Sequence, residues 1–586
     1  MTPQILLSLL LGASGALLQN ADFSKGLEGW SQGGAAEVVF ETVAGEDRPA
    51  VAIRVGESAE VGWPSIAQHF AVKPGELVRG EVDARGLDTR KGHGAYLAVE
   101  FIGADGKRIS HEQTEMAPRS GEWTRLKLLG IAPEGTASGR FCLLLHGRGE
   151  ARFARAALST EPGPQSKPLD GPVTLTVTEN VACDSLIGFG AEDDGWFYNE
   201  ENKTRGVTEE DWAVREGRID WMAPDWVRMF FWYRDWNPSG DWKTFDFDTD
   251  NMRSHYRTLD QYQRLGARVN VTGVEWGVRD PYGNPEKAAR AIGALMAHIV
   301  REKGYTCVTD WTLSNEPNGY FLGAGYDFDR FREMHVRVRG EFDRLGLDIR
   351  IAGSDDTGSF NFFSQCVNDD AYFGLSDYFA SHRYIQAASR RMMSVFLDER
   401  LELLAAKTPR KPFVVAEFGF QDSRSGTLEN PIMESYDYAL WTAAFVIEGL
   451  NKGVAGFSVW CLHEVYYPGN GFMNYGLWNY KTDHWRVRPV YHAWSAFSRL
   501  TKQGDTVRRC DSTHPGHVSG AYAGDTLFWV NESDQAVEVR VQGAQPREVR
   551  IMTEDSLAGD RECGAVAPLE EGRFTAPPKS FGYAMS

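Results

Sequence analysis

Trp311-Thr-Leu-Ser-Asn-Glu-Pro-Asn-Gly319 is a short apolar run that ends in a carboxylate, Glu316, and then breaks at a proline. Phe413-Val-Val-Ala-Glu-Phe-Gly419 repeats the arrangement about a hundred residues later, with Glu417 at its end. Each run has the length and texture of a buried strand. The interval between them has room for two strand–helix units, which is what a barrel of parallel strands would place there.

Working outward, strand-like apolar runs alternate with amphipathic helical segments from about residue 173 to 503. The predicted strands are Leu186 to Gly190, Trp226 to Phe231, Val269 to Val274, Asp310 to Ser314, Ile349 to Gly353, Tyr378 to Ser381, Phe413 to Ala416 and Gly456 to Trp460. One helical face carries Met252, Tyr256, Leu259, Tyr262 and Leu265, with Asp250 as its expected N-cap. Another follows Pro285 through Ala288, Ile292, Leu295, Met296 and Ile299. Eight strands alternating with helices predict a (β/α)8 TIM barrel over 173–503.

The flanks have a different rhythm. Residues 19–160 alternate apolar and polar with frequent turns, as in Ala50 to Val55, Leu77 to Val82, Ala95 to Phe101 and Phe141 to His146. This predicts an N-terminal β-sandwich. Its opening, Leu18-Gln-Asn-Ala-Asp-Phe-Ser-Lys-Gly-Leu-Glu-Gly-Trp30, resembles the start of carbohydrate-binding jelly rolls such as module family 4; a sandwich without a ligand is the alternative. The Pro- and Gly-rich stretch within 161–172 reads as a linker. Residues 504–586 read as a small C-terminal β-sandwich, from Ala521 to Asn531, Val537 to Val541 and Val549 to Met552.

At 586 residues the chain exceeds what one core supports, in keeping with several domains. A net charge of −19 argues against nucleic acid or an anionic membrane, both of which require basic patches. Residues 1–18, with Ile5 to Leu11 closing in small residues, resemble a secretory signal peptide, which implies a secreted or periplasmic protein. The seven cysteines are scattered and form no Cys-x-x-Cys pair, so they read as buried apolar residues with at most one disulfide.

In a barrel, chemistry collects at the C-terminal ends of the strands. Those ends carry Glu192, Asp193, Asp194 and Trp196; Arg228 with Trp232 and Trp236; Glu275 and Trp276; Asn315 and Glu316; Asp355 and Asp356; His382 and Tyr384; Glu417; and Trp460 with His463 and Glu464. This ordered set resembles clan A of the glycoside hydrolases, the retaining barrel enzymes that include families 5 and 39. The resemblance covers about residues 180–500. It implies Glu316 as acid/base, Glu417 as nucleophile, and Asn315, Arg228, His382, Tyr384 and Trp460 as their supporting set.

The chemistry fits those roles. A retaining hydrolase needs two carboxyl groups about 5–5.5 Å apart, one attacking the anomeric carbon and one protonating the leaving oxygen. Glu417 must stay ionised, which makes Arg228 its expected partner. Glu316 must carry a proton in the first step and act as base in the second. Asp193, Asp194, Trp196, Trp232, Trp236, Trp276, His463 and Glu464 are candidates for the substrate cleft. Each has a blander reading as core or as half of a structural ion pair.

Three motifs fail. Gly188-Phe-Gly190 lacks the third glycine of a dinucleotide loop. Asp246-Phe-Asp248-Thr-Asp250 has Asn251 where a calcium loop needs glycine and Arg257 in place of its glutamate. His463-Glu464 lacks the second histidine of a zincin. No catalytic metal or organic cofactor is expected.

The expectation is a retaining β-glycosidase acting on a poly- or oligosaccharide, endo-acting and β-glucanase-like, with β-1,3-glucan first and mannan, xylan and galactan open. An exo-acting β-glycosidase, a transglycosylase and a catalytically silent carbohydrate-binding protein are the alternatives.

Overall fold

A computed structural model of the chain describes residues 17–43, 47–119, 121–163, 166–193, 200–274, 282–323, 325–422, 429–467, 471–561 and 564–586. The signal-peptide reading falls almost wholly outside them. The chain divides into two compact units, Met1–Gln165 and Ser166–Ser586.

In the first unit two very long strands, Glu76–Gly103 and Thr136–Pro162, pair antiparallel along most of their length. The ribbon bends near its middle, where the register slips between Leu87 and Gly94. Gly147 and Gly149 sit there at φ of 116° and 106°. A Cβ on Gly149 would lie 2.4 Å from the Asp88 carbonyl oxygen, so the bend requires glycine. Beyond the bend one half is flanked by Thr124–Ile131 and Ala50–Val55, the other by Arg108–Gln113 and Ser65–Phe70. Val51, Ile53, Ile66, Val78, Leu97, Phe101, Phe141 and Leu143 draw side chains from both halves into one core. Period-two burial is what the alternating sequence predicts.

The second unit holds a barrel-like sheet of eight parallel strands: β1 (Gly188–Ala191), β2 (Trp226–Trp232), β3 (Arg268–Val274), β4 (Val308–Thr312), β5 (Arg350–Asp356), β6 (Tyr378–Gln386), β7 (Phe413–Gln421) and β8 (Gly456–Val459). They pair in chain order from β2 to β8, and β8 pairs with β1. The seam between β1 and β2 is joined by the Glu192–Arg228 bridge, with the Asp193 N–H donating to the Arg228 carbonyl at 2.8 Å. All eight predicted runs are strands of this sheet, and β6 and β7 run on to Gln386 and Gln421, past their expected ends.

Helices connect these strands. Asp250–Leu265 buries Met252, Tyr256, Leu259 and Tyr262 as its periodicity predicts. Its N-cap is Thr249, whose hydroxyl accepts from the Met252 N–H at 3.2 Å. Asp250 instead occupies the first turn, where its charge meets the positive end of the helix dipole. Asn284 caps Pro285–Ala297 in the same way.

A nine-stranded sheet completes the second unit. The run Ala521 to Asn531 is a hairpin of Val518–Ala523 and Thr526–Asn531. Val173–Cys183, which the sequence analysis places at the start of the barrel, lies in this sheet between Val507–Ser512 and Val537–Gln542. Its Val173, Leu175 and Val177 pack with Trp529 and Phe574 in that core. An alternating apolar strand suits either sheet, and the available edge decides. Asn451, on the helix after β7, accepts from the Cys510 N–H at 2.9 Å and donates to the Gly520 carbonyl at 2.6 Å, tying the two sheets together.

Among the described residues no helix is long and apolar enough to cross a membrane. Cys142, Cys307, Cys366, Cys461 and Cys510 are buried, Cys183 is half-buried, and none of the six forms a disulfide. Cys563 lies outside the described residues.

Closure at the β1–β2 seam is testable at Gly190, where a Cβ would lie 1.6 Å from the Trp226 carbonyl oxygen. Gly190→Ala is expected to destabilise by about 1–3 kcal/mol or more, because backbone must move. Gly374→Ala, on an exposed helical site with nothing within 4 Å, is expected to leave the melting temperature unchanged or raise it. Thermal melts of the two variants against the native protein make the comparison.

Candidate active site

Arg228 is the third residue of β2 and is 1% exposed. Its guanidinium spans the interior of the sheet. Nη1 donates to Glu417 Oε1 on β7 at 2.8 Å, and Nη2 donates to Asp355 Oδ2 on β5 at 2.9 Å. A longer contact from Nη2 reaches Asn315 Oδ1 at 3.3 Å. Burial works against the charge, but the Asp355 and Glu417 carboxylates outweigh it and raise the guanidinium above its ordinary range.

Glu417 lies in the middle of β7, and its placement depends on a register slip. Ser381 on β6 faces Val415, but His382 faces Glu417, so Ala416 is passed over. Without the slip His382 would face Ala416. The extra residue therefore turns the glutamate toward the histidine's side of the sheet. Tyr384, two residues along β6 and so on the same face, donates from its hydroxyl to Glu417 Oε2 at 3.1 Å. Burial pushes that phenol well above its ordinary range, which keeps it a donor.

His382 is buried among carboxylates. Nδ1 lies 3.1 Å from Glu316 Oε1 and 3.6 Å from Glu417 Oε2, and Nε2 lies 3.1 Å from Asp355 Oδ1. Burial disfavours the charged ring, but Glu417 and Asp355 overcome it and push the imidazole up to about 10. Asp355 is 1% exposed; burial alone would raise its carboxyl, yet Arg228 and His382 hold it below the usual range.

Asp355 is itself an extra residue. Ser354 pairs with Ala380 and Asp356 with Ser381, leaving Asp355 bulged out of the ladder. Ser354 and Asp355 both adopt left-handed backbone, at φ of 57° and 53°. Glu316 does the same at φ 49°, in the turn after β4. Non-glycine residues held there cost about 1–3 kcal/mol each and cluster at functional sites. The turn is fixed by the Asn315 N–H on the Gly273 carbonyl at 3.2 Å and by reciprocal bonds between Asn318 and Thr357 at 2.8 and 3.1 Å.

One carboxylate oxygen each from Glu316 and Glu417 and one ring nitrogen of His382 all lie within 4.8 Å of one another. That spacing would also suit a metal ion. Both nitrogens of His382 already face carboxylates. The arrangement is one imidazole set between two carboxylates.

Trp460 follows β8, half-buried, with its ring 5.0 Å from that of Tyr475. Tyr475 stands edge-on to Tyr384 at 6.0 Å and accepts from Gln421 Nε2 at 3.2 Å. Together they form an aromatic wall beside Glu417.

Arg228, Asn315, Glu316, His382, Tyr384, Glu417 and Trp460 thus converge. Asp193 is buried and engaged elsewhere, by Arg215 and by the Tyr262 hydroxyl at 2.6 Å. Glu464 is held by Arg488, by Asn474 Nδ2 at 3.0 Å and by the Tyr480 N–H at 3.0 Å, bracing the long connection after β8. Trp232 is buried with the Arg234 guanidinium 4.1 Å over its ring. Trp236 belongs to an aromatic cluster with Tyr233, Trp242 and Phe245, and His463 is half-buried with Nδ1 3.0 Å from its neighbour's carbonyl oxygen. Asp194, Trp196, Glu275 and Trp276 lie outside the described residues.

Two site residues were not assigned roles from sequence. Asp355 was visible at a strand end beside Asp356, but only the bulge separates them: Asp356 binds Ser381 Oγ at 2.6 Å and Arg400 at 3.3 Å. Tyr475 lies fifteen residues beyond Trp460, in a connection with no period to read.

No family model matches the chain, and no curated protein matches it in sequence. Solved structures do resemble it. A conserved exported protein from Bacteroides fragilis is 13% identical, with a TM-score of 0.54 over 70% of this chain and 100% of its own. SrfJ from Salmonella typhimurium is 15% identical, with a TM-score of 0.51 over 73% and 96%. An endo-β1,6-glucanase is 13% identical, with a TM-score of 0.51 over 84% and 99%. At these identities the likeness is one of fold: the chain shares its fold with these three solved structures, an endo-β1,6-glucanase among them.

The environment of His382 sets a pH dependence. Its imidazole titrates near 10 in the folded chain and near 6.5 when unfolded. The stabilisation from its ion pairs is therefore fully present below about pH 6.5 and lost as pH rises towards 10. The gap in melting temperature between native protein and His382→Gln is expected to narrow steadily from pH 6 to 10. A constant gap would show that the ring is not charged.

Proposed function

We propose that this chain is a retaining β-glycoside hydrolase, working by double displacement in a (β/α)8 barrel, with Glu417 as nucleophile and Glu316 as acid/base. The observation that carries this reading is the grouping of Glu316, Glu417 and His382 within 4.8 Å. It fits the short carboxyl separation of retaining enzymes, about 5–5.5 Å, better than the wider separation of inverting ones, about 6.5–9.5 Å.

Glu417 is held by the Arg228 guanidinium on Oε1 and the Tyr384 hydroxyl on Oε2. Both interactions fix the orientation of the carboxyl group, as a nucleophile requires. In the first step Glu417 attacks the anomeric carbon while Glu316 gives its proton to the leaving oxygen. In the second, Glu316 takes a proton from water, which releases the sugar from the Glu417 ester with its original configuration. Asn315 accepts from Arg228 through Oδ1, which leaves its amide NH2 to reach the sugar 2-hydroxyl. Trp460 and Tyr475 offer flat faces to the ring being cleaved.

We place the substrate among β-glucans and the action as endo. β-1,3-Glucan remains the first candidate, and the shared fold with an endo-β1,6-glucanase adds β-1,6-glucan to those to screen. The N-terminal unit would act as a carbohydrate-binding sandwich, and the leader-like start would direct export.

Glu417→Gln is expected to lower kcat on the order of 10⁴-fold, and Glu316→Gln by about 10²–10⁴-fold on a substrate whose leaving group needs protonation. A small anionic nucleophile such as azide should restore turnover to Glu417→Ala and give a product of inverted configuration. Full activity of Glu417→Gln on every glycan that the native protein cleaves would refute the assignment.

Product sizing on β-1,3- and β-1,6-glucan, xylan, mannan and galactan separates the modes of action. A ladder of oligomers supports the endo reading. A single sugar or disaccharide supports exo action, longer products than the substrate indicate transglycosylation, and binding without cleavage indicates a silent lectin-like protein.

A further inference from the structure

Asp355 has no part in bond cleavage as proposed above, yet both of its oxygens are committed inside the site. Oδ2 accepts from Arg228 Nη2 at 2.9 Å, and Oδ1 faces His382 Nε2 at 3.1 Å. Each of these cations holds a glutamate with its other side. Arg228 Nη1 is 2.8 Å from Glu417 Oε1, and His382 Nδ1 is 3.1 Å from Glu316 Oε1. The chain Glu417–Arg228–Asp355–His382–Glu316 therefore runs unbroken from one carboxylate to the other, across β7, β2, β5, β6 and the turn after β4.

We propose that Asp355 is the positioning residue that sets the spacing of the two glutamates, acting on Glu417 through Arg228 and on Glu316 through His382. The inference rests on the glycosidase reading. The backbone around Asp355 is consistent with such a role: a bulge extrudes this one residue, and it and Ser354 are left-handed. Asp356, its neighbour, is turned to a separate pair with Arg400 and Ser381, so the bulge commits a single carboxylate to the site. Thr357, two residues on, grips Asn318 in the Glu316 turn, so the same strand end also holds the acid/base loop by its backbone.

The role differs from a simple counter-ion. A counter-ion for Arg228 alone would need one oxygen, and Glu417 already supplies one. The second oxygen is aimed at the distal nitrogen of His382, in the manner by which a carboxylate fixes the tautomer and orientation of an imidazole. The groups facing His382 are Glu316 from the turn after β4, Asp355 from β5 and Glu417 from β7, with Asp356 also acting on it from β5. Asp355 contacts His382 at Nε2, whereas both glutamates face Nδ1, so removing its charge reaches the ring from the side away from them.

The experiment pairs Asp355→Asn, which keeps the shape and removes the charge, with Asp355→Glu, which keeps the charge and moves it by one methylene. Two readouts are taken on each. Steady-state kinetics on the best glycan are expected to show kcat down at least about tenfold, with KM within about threefold, for both variants. The His382 imidazole signal, assigned by its loss in His382→Gln, is expected to titrate at least about one unit lower in Asp355→Asn than in the native protein. Should Asp355→Asn fail to fold, Asp355→Glu decides on kcat alone. A kcat within twofold of native in the folded variants overturns the proposal, as does an unchanged His382 titration in Asp355→Asn. If the native protein cleaves no glycan, the glycosidase reading fails, and the titration still decides whether Asp355 governs His382.

Discussion

A guanidinium placed in the middle of a closed sheet, away from water, is an expensive object unless its hydrogen-bonding capacity is filled. Arg228 is such an object, and the architecture of the site follows from satisfying it. Its two terminal nitrogens reach β7, β5 and the turn after β4. Removing any one partner would leave buried charge uncompensated, so the partners are held as firmly as the arginine itself. Glu417 is thereby fixed within the sheet by a buried partner instead of standing on a loop.

The second organising cation is His382. It stands between Glu316 and Glu417, at 3.1 and 3.6 Å, and so keeps the two carboxyl groups in register with each other. Two cations interleaved with carboxylates give a site that is nearly neutral as a whole, within a protein of net charge −19.

Two irregularities in the sheet do most of the aiming. The slip at His382 brings Glu417 onto the working face, and the bulge at Asp355 sends one aspartate inward and the next outward. Both are one-residue events in parallel strands, where regular pairing would have placed different side chains in the site. Glu316, Ser354 and Asp355 also hold left-handed backbone at these strand ends.

Much of this was legible beforehand. The apolar runs from Leu186 to Trp460 locate every strand of the parallel sheet, because a strand buried on both faces cannot avoid a continuous apolar signature. The order Arg228, Asn315-Glu316, His382, Tyr384, Glu417, Trp460 was also readable, because side chains at successive strand ends must meet. What the linear chain could not carry is anything that depends on partner choice or on one-residue register. Val173–Cys183 has an alternation suited to either sheet, and its place was decided by which edge lay open to it. Asp193 and Glu464 look like cleft carboxylates until Arg215 and Arg488, distant in sequence, claim them. Asp355 and Asp356 are the same residue type side by side, and only a bulge gives one to the site and the other to Arg400. Composition and periodicity act along the chain and so determine the sheet and the cast of residues; contacts between distant segments act across it, and they alone decide which of those residues face each other.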